Sequence, residues 1–417
     1  MTPQHRKDLT MGLILVHHDT GSPALYGAAA AAVAVRRNCG FMHLASRFDT
    51  KRHADAEQHV VASGGLAASG LCWFERLSGK PIEPVATIEA VIDAARQADI
   101  VVPIHPAFLA DANAIAGLFA AAQLQAVSVE TIRIADGVHQ FADEATGTVI
   151  TWRDQFGRIT LDKPKAPTET VLTIALVGAR SDHVDVYPAA LASLADAADS
   201  LRLPLAINFI DPVGFDEADA EQTLRPYAGI LLPGGADMKN VAGQTAVAAF
   251  ALENQLPIVG LCLGMQTMAT AVAWRAFGRR NANLAEANPD VGIKTFLAMA
   301  GGTTAYGGPL PEHRTGDQQT EPTAGTRLAG LIPHGTIVRC NHRYRLNPDL
   351  VTDMETHGLR VAARGVNGSV VDAIEVIGHP FYMGMQGHPE LSSRPDAPHP
   401  LLVAFLEAAL RRQSQAS

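Results

Sequence analysis

Short aliphatic runs alternate with alanine-rich stretches over most of this chain. GLILV (Gly12–Val16) precedes ALYGAAAAAVAVRRN; DIVVPI (Asp99–Ile104) stands between ATIEAVIDAARQA and DANAIAGLFAAAQ; LQAVSVETIRI follows. A short continuous apolar run bounded by turn residues suits a strand buried on both faces, and the longer alanine-rich stretches suit helices. Their alternation predicts a mainly parallel sheet covered by helices. TGTVITWRDQFGRITLD (Thr146–Asp162) places two β-rich runs around Asp154-Gln155-Phe156-Gly157 and predicts a hairpin.

KPKAPTET (Lys163–Thr170) breaks this pattern and reads as a linker. A second α/β series then runs through VLTIALVG, PAALASLADAADSL, LPLAINFID, YAGILLPGG, TAVAAFALENQ and LPIVGLCLGMQTMATAVAW. From Ala287 to about Thr326 the chain is rich in Gly, Pro and Thr, which predicts loops and short strands. TIVRCNHRYRLN, LRVAARG, VVDAIEVIG and FYMGMQGHPE read as further strands, and PHPLLVAFLEAALRR as a closing amphipathic helix. The expected fold is therefore α/β with two domains: a smaller, doubly wound domain over 1–162, a linker over 163–170, and a domain with a mixed, largely parallel sheet over 171–417.

Composition narrows the function classes. With 47% hydrophobic and 18% charged residues, a chain of 417 residues can bury two full cores. A net charge of -9 argues against a broad nucleic-acid footprint, which needs clustered Lys and Arg. The four cysteines, Cys39, Cys72, Cys262 and Cys340, show neither C-x-x-C nor zinc-finger spacing, so a reduced chain without structural metal is expected. The apolar stretch Met11–Val16 is too short for a signal peptide. Ala24–Val35 falls short of the roughly 20 residues that cross a bilayer. The expectation is a cytoplasmic protein with neither a nucleic-acid nor a membrane partner.

One stretch carries chemistry. In GLCLGMQ (Gly260–Gln266) a cysteine sits between a strand-like and a helix-like run, flanked by Gly260 and Gly264. A tight strand-to-helix turn exposes such a side chain at the carboxyl edge of a sheet, over a helix N-terminus that favours an anion. The competing reading is a small buried core residue, the usual state of a free cysteine. A nucleophile needs a base, and the base an orienting group. His388 follows a strand, and Glu390 lies two positions on, with Pro389 expected to hold an extended turn that points both side chains the same way. Pro233-Gly234-Gly235 ends another strand, where glycine N–H groups are free to face an oxyanion, with the Leu263 N–H as a second donor.

These elements, in this order, resemble the class I, triad-type glutamine amidotransferases, and most specifically the glutaminase domain of the CTP synthases. The motifs that carry the resemblance are LTIALVG, GILLPGG, GLCLGMQ, NHRYRLNP and HPELSSRPDAPHPL, and it extends over about Thr168 to Arg411. The tail Ser393-Arg394-Pro395 with Pro398-His399-Pro400 is not required by triad chemistry in general. The resemblance implies a flavodoxin-like C-terminal domain acting on L-glutamine. Cys262 would be the nucleophile that forms a thioester, His388 the proton carrier and Glu390 its orienting partner. Gly234 and Gly235, with Leu263, Gly264, Met265 and Gln266, would hold the carbonyl and amide. Glu286 would bind the α-ammonium and Arg343 would stand near the α-carboxylate. No metal or cofactor is implied for this step.

The chain also departs from that family. No phosphate loop with a lysine opens it, and GGLAASG (Gly64–Gly70) lacks one, so a complete CTP synthase is not expected. Lys239 and Ala305 replace arginines in stretches tied to GTP activation, Ala236 replaces an aromatic, and Asn341 replaces an arginine. ATP or GTP dependence is therefore not expected. The ammonia acceptor is left open, as the N-terminal domain or a separate protein, and a homo-oligomer is admitted. His17, His18 and Asp19 in HHDTGSP, and His105 in IHPAF, lie where ligands sit in such sheets, although polar turns are the plainer reading. Two alternatives stay open: a γ-glutamyl hydrolase acting on a modified amide, and a regulatory protein with a vestigial triad.

Overall fold

The computed structural model describes residues 12–165, 172–215, 217–279 and 281–416. They form two compact units, one drawn from residues 12–61, 66–165 and 185–188, the other from 62–65, 172–184 and those from 189 on. Residues 166–170 of the expected linker lie outside the described residues.

In the first unit, β1 (Gly12–His18), β2 (Gly40–Phe41), β3 (Ile100–Ile104) and β4 (Ser128–Asp136) are parallel and stand in the order β2-β3-β1-β4. Leu13 and Leu15 share a core with Val91 and Ile92 of α2 (Ile88–Ala95) and with Leu118 and Ala122 of α3 (Ala114–Leu124). Ile14 and Val16 have the opposite parity and face the other side of the sheet. There α1 (Ala28–Arg37) lies against β3, with Ala28 to Ala34 all buried. Alanine lets that helix approach the sheet closely. The parallel part is thus doubly wound, as expected. It continues into the antiparallel strands β5 (Gln140–Asp143), β6 (Val149–Arg153) and β7 (Ile159–Thr160). The last two form the hairpin around Asp154–Gly157, with Trp152 opposite Thr160.

The second unit holds a nine-stranded sheet. Its parallel part runs β9-β8-β10-β11-β16, where β8 is Leu172–Val177, β9 Leu205–Ile210, β10 Gly229–Leu232, β11 Ile258–Leu261 and β16 Tyr382–Met385. This is the flavodoxin-like order. The antiparallel strands β15 (Val370–Val376), β14 (Leu359–Gly365), β12 (Arg314–Pro322) and β13 (Thr336–His342) extend it. The core gathers Ile230, Leu232, Ile258, Leu263, Met265 and Met268, with α6 (Leu263–Phe277) and α7 (Pro400–Ala416) against the sheet, α5 (Val241–Glu253) packed on α6 and α4 (Ala189–Ser200) on α7. Every residue from Leu263 to Ala273 is buried, so α6 has no solvent face over its first three turns.

Two expectations change. β12 spans nine residues within the region expected to hold loops and short strands. Its buried positions are Arg314, Gly316, Thr320 and Pro322, a set without a large aliphatic residue that leaves no apolar alternation to read. TIVRCNHRYRLN is not one strand, because it breaks at Arg343 between β13 and Tyr344–Leu346. No helix among the described residues is long and apolar enough to cross a membrane.

Candidate active site

β11 ends at Leu261, and α6 begins at Leu263, so Cys262 alone makes the turn. Its φ of 49° and ψ of -105° fall outside the regions open to ordinary L-residues. Such a conformation costs about 1–3 kcal/mol and persists only where its surroundings over-determine it. Here the Cys262 N–H donates to the Met385 carbonyl at 2.8 Å, and the Cys262 carbonyl accepts from the Gln266 N–H at 3.1 Å. The flanking glycines leave no room for a side chain. A Cβ on Gly264 would lie 2.2 Å from the Leu232 carbonyl oxygen, and one on Gly260 2.5 Å from the Met268 sulfur. The turn is a nucleophile elbow packed directly on the neighbouring strand.

His388 lies just past β16, held by its N–H on the Arg339 carbonyl at 2.7 Å. Its Nδ1 is 2.7 Å from the Glu390 Oε1. The turn between them is a 3-10 turn over Pro389–Leu391, not the extended one expected, yet it brings the two side chains together. A Cβ placed on Gly234 would lie 3.3 Å from both the Cys262 Cβ and the His388 Cε1, so cysteine and histidine meet across that glycine. Gly235 follows it in the same turn after β10. All three side chains are buried: Cys262 is 8% exposed, His388 5% and Glu390 1%.

The electrostatics follow from this packing. Burial is the largest single influence on His388 and disfavours the imidazolium. The Glu390 carboxylate, which accepts a hydrogen bond from Nδ1, and the charge of Cys262 act the other way, and together they raise its pKa well above 6.5. The surroundings of His388 thus favour its protonated form beside the cysteine.

The structure adds residues that sequence reasoning missed. Gln386 donates from Nε2 toward the Cys262 sulfur at 3.7 Å and accepts from Gln266 Nε2 at 3.3 Å. The thiol in turn faces the Asn341 carbonyl at 3.9 Å. Below them the Gln386 N–H donates to the Asp372 carbonyl, and the Asp372 carboxylate forms a buried ion pair with Arg314. Arg314 also reaches His342 Nε2 at 3.4 Å. Burial, then Arg314, depress His342 to about 3, so this ring is neutral. A polar residue two positions before His388, at the end of an otherwise apolar strand, was the available signal for Gln386.

The other predicted residues are distributed as follows. Leu263, Gly264 and Met265 open α6; the Met265 side chain packs into the core under Gly384, which leaves its backbone at the helix start. Gln266 is buried, and its Oε1 has no hydrogen-bond partner among the described residues. Glu286 and Arg343 both reach solvent and lie close enough to act on each other. Partial burial raises the Glu286 carboxyl, and the Arg343 charge opposes that. Among the described residues no group of three or more His, Cys, Asp or Glu is arranged to hold a metal ion.

A class of protein follows from this fold and elbow, and the comparisons agree with it. Residues 183–408 match the family described as Glutamine amidotransferase class-I, and the chain belongs to that family. Within it, the chain is 34% identical over 260 residues to the CTP synthase of Thermus thermophilus, a match that covers 60% of this chain and 46% of that one. It is 35% identical over 252 residues to the CTP synthase of Methanothermobacter thermautotrophicus, covering 58% and 45%. The chain thus spans about half the length of the curated relatives it matches. A solved structure of the Trypanosoma brucei CTPS glutaminase domain with bound acivicin is 27% identical, with a TM-score of 0.52, and covers 58% of this chain and 94% of that one.

Proposed function

We propose that this chain hydrolyses L-glutamine to glutamate and ammonia through a thioester on Cys262. The Cys262 sulfur attacks the side-chain carbonyl carbon, His388 takes the thiol proton and delivers it to the departing ammonia, and water then releases glutamate. Glu390 holds His388 in the orientation that serves both transfers. Backbone N–H groups at Gly235 and Leu263 receive the oxyanion, while Gly234, Gly264, Met265 and Gln266 shape the pocket for the amide. Glu286 pairs with the substrate α-ammonium and Arg343 with its α-carboxylate. These steps need neither metal nor cofactor. With Lys239 and Ala305 where the CTP synthases carry arginines, hydrolysis proceeds without ATP or GTP. The ammonia passes to an acceptor on the first unit or on a separate protein.

The observation that carries this reading is the meeting of Cys262 and His388 across Gly234, with Glu390 on the far nitrogen of the histidine. The test is ammonia release from L-glutamine by the purified chain, with and without ATP and GTP. Release that disappears in Cys262→Ala is the expected result. No release from the unaltered chain under any of these conditions overturns the reading.

A further inference from the structure

β16 is apolar and buried from Tyr382 to Met385, yet the residue that follows it, Gln386, is a carboxamide with 0% exposure. Burying an amide is costly unless its polar ends are bonded. Here both ends are bonded, each to a residue of the elbow or of the helix it opens. Gln386 Nε2 donates toward the Cys262 sulfur at 3.7 Å, and Gln386 Oε1 accepts from Gln266 Nε2 at 3.3 Å. The backbone of Gln386 is fixed as well, because its N–H donates to the Asp372 carbonyl at 2.8 Å. The preceding residue, Met385, accepts the Cys262 N–H at 2.8 Å. One strand end thus holds Cys262 twice, by its backbone and by its side chain.

The two side-chain contacts have different consequences. A single rotatable bond moves the Cys262 sulfur. Contacts with the Gln386 amide and, at 3.9 Å, with the Asn341 carbonyl select one of its staggered positions. Gln266 stands one turn along α6, where its N–H donates to the Cys262 carbonyl at 3.1 Å. An amide oxygen only accepts, so Gln386 Oε1 takes the NH2 end of Gln266, and the Gln266 oxygen is the end left over. That oxygen is buried and has no hydrogen-bond partner among the described residues.

We infer that Gln386 is a positioning residue: its carboxamide sets the rotamer of the Cys262 sulfur and decides which end of Gln266 is left unpaired. The inference rests on the proposed hydrolysis of glutamine at Cys262. A methionine at this position would have a similar length and no branch, but would make neither contact. The sulfur would then sample other rotamers, and Gln266 would lose its fixed orientation.

The test uses the full chain with Gln386→Met, Gln266→Met and the double variant, and reads ammonia release from L-glutamine. Gln386→Met should lower kcat by about tenfold or more, because a misplaced nucleophile slows the reaction itself. The penalty of Gln266→Met on kcat/KM should be about threefold or more smaller in the Gln386→Met chain than in the unaltered one, since the orientation of Gln266 is already lost there. Melting temperatures measured alongside separate a slower site from a smaller folded fraction. Spectra of the protein with nitrogen-15 in its glutamine side chains need neither turnover nor a folded Gln386→Met chain. Cys262→Ala removes the acceptor of Gln386 Nε2, and should shift that amide signal more than that of Gln244, whose amide faces the Val177 and Pro233 carbonyls instead. An unaltered rate in Gln386→Met, additive penalties in the double variant, or a Gln386 signal unmoved by Cys262→Ala would overturn the role of Gln386 and leave the glutamine reading intact. No ammonia from the unaltered chain would overturn that reading, and the role of Gln386 would fall with it.

Discussion

His388 Nδ1 and Glu390 Oε1 stand 2.7 Å apart on a single 3-10 turn, so the proposed base and its proposed orienting group are fixed by one short piece of chain. Glu390 is also the strongest of the influences that raise the histidine. In Glu390→Gln the buried imidazole loses that charge, and the balance shifts toward burial, which disfavours the imidazolium. We expect kcat for glutamine hydrolysis to fall by about 10²–10⁴-fold. The pH dependence of kcat/KM should also change, with the His388 limb moving to lower pH. Rate profiles for both proteins check this, and a slower variant with an unmoved profile would speak against an electrostatic role for Glu390.

His388 and His342 should tilt stability in opposite directions. The folded-state pKa of His388 is raised above 6.5. Its contribution is full below the unfolded value and is lost as pH rises through the folded one. That of His342 is lowered from 6.5 to about 3, so its contribution is present above 6.5 and is lost as pH falls toward 3. Melting curves over about pH 4 to 10 should show His342→Gln flattening the acid side, by on the order of a few kcal/mol, and His388→Gln flattening the alkaline side. An acid limb unchanged in His342→Gln would mean that this ring is not held neutral in the fold.

Two glycines near Cys262 should fail in different ways. In Gly234→Ala the new methyl group meets Cys262 and His388 at 3.3 Å, a tight contact but not an impossible one. It should lower kcat by about tenfold or more while shifting stability by less than about 1 kcal/mol. In Gly264→Ala the methyl group meets the Leu232 carbonyl oxygen at 2.2 Å, against backbone that cannot swing aside. Destabilisation of about 2–4 kcal/mol is expected there, read as a loss in melting temperature. Equal losses of stability in the two variants would refute the distinction.

The parts of this site that were legible in the sequence are those with a backbone reason to be there. Gly260 and Gly264 had to be small for the chain to turn at Cys262, and glycines after an apolar run mark a strand end, so the elbow and the turn at Gly234 could be read directly. The pair of His388 and Glu390 was also legible, although the turn that joins them is tighter than the expected extended one. The Arg314–Asp372 ion pair was not. Arg314 opens a strand whose buried positions hold no large aliphatic residue, and Asp372 lies 58 residues further on, so neither periodicity nor local spacing links them. In the first unit His18 and Asp136 are likewise 118 residues apart and meet only because β1 and β4 are neighbours in the sheet. Sequence patterns report what one segment requires of itself, whereas contacts across strands depend on strand order.

Glu286 and Arg343 provide the sharpest test of substrate identity. Arg343 stands at the break between β13 and the next strand, where its side chain is exposed, and its charge reaches Glu286. If the pair grips the two charges of an amino acid, each residue contributes to binding before and during reaction alike. Glu286→Gln and Arg343→Gln should then raise KM for L-glutamine by about 10–100-fold with little change in kcat. A substrate that lacks the α-amino group should bind poorly to the unaltered protein, and Glu286→Gln should then cost it almost nothing more, because the partner of that carboxylate is already missing. Arg343→Gln should weaken both substrates alike. A full additional penalty from Glu286→Gln on the deamino substrate would place Glu286 in a structural role, and the α-ammonium would need another partner.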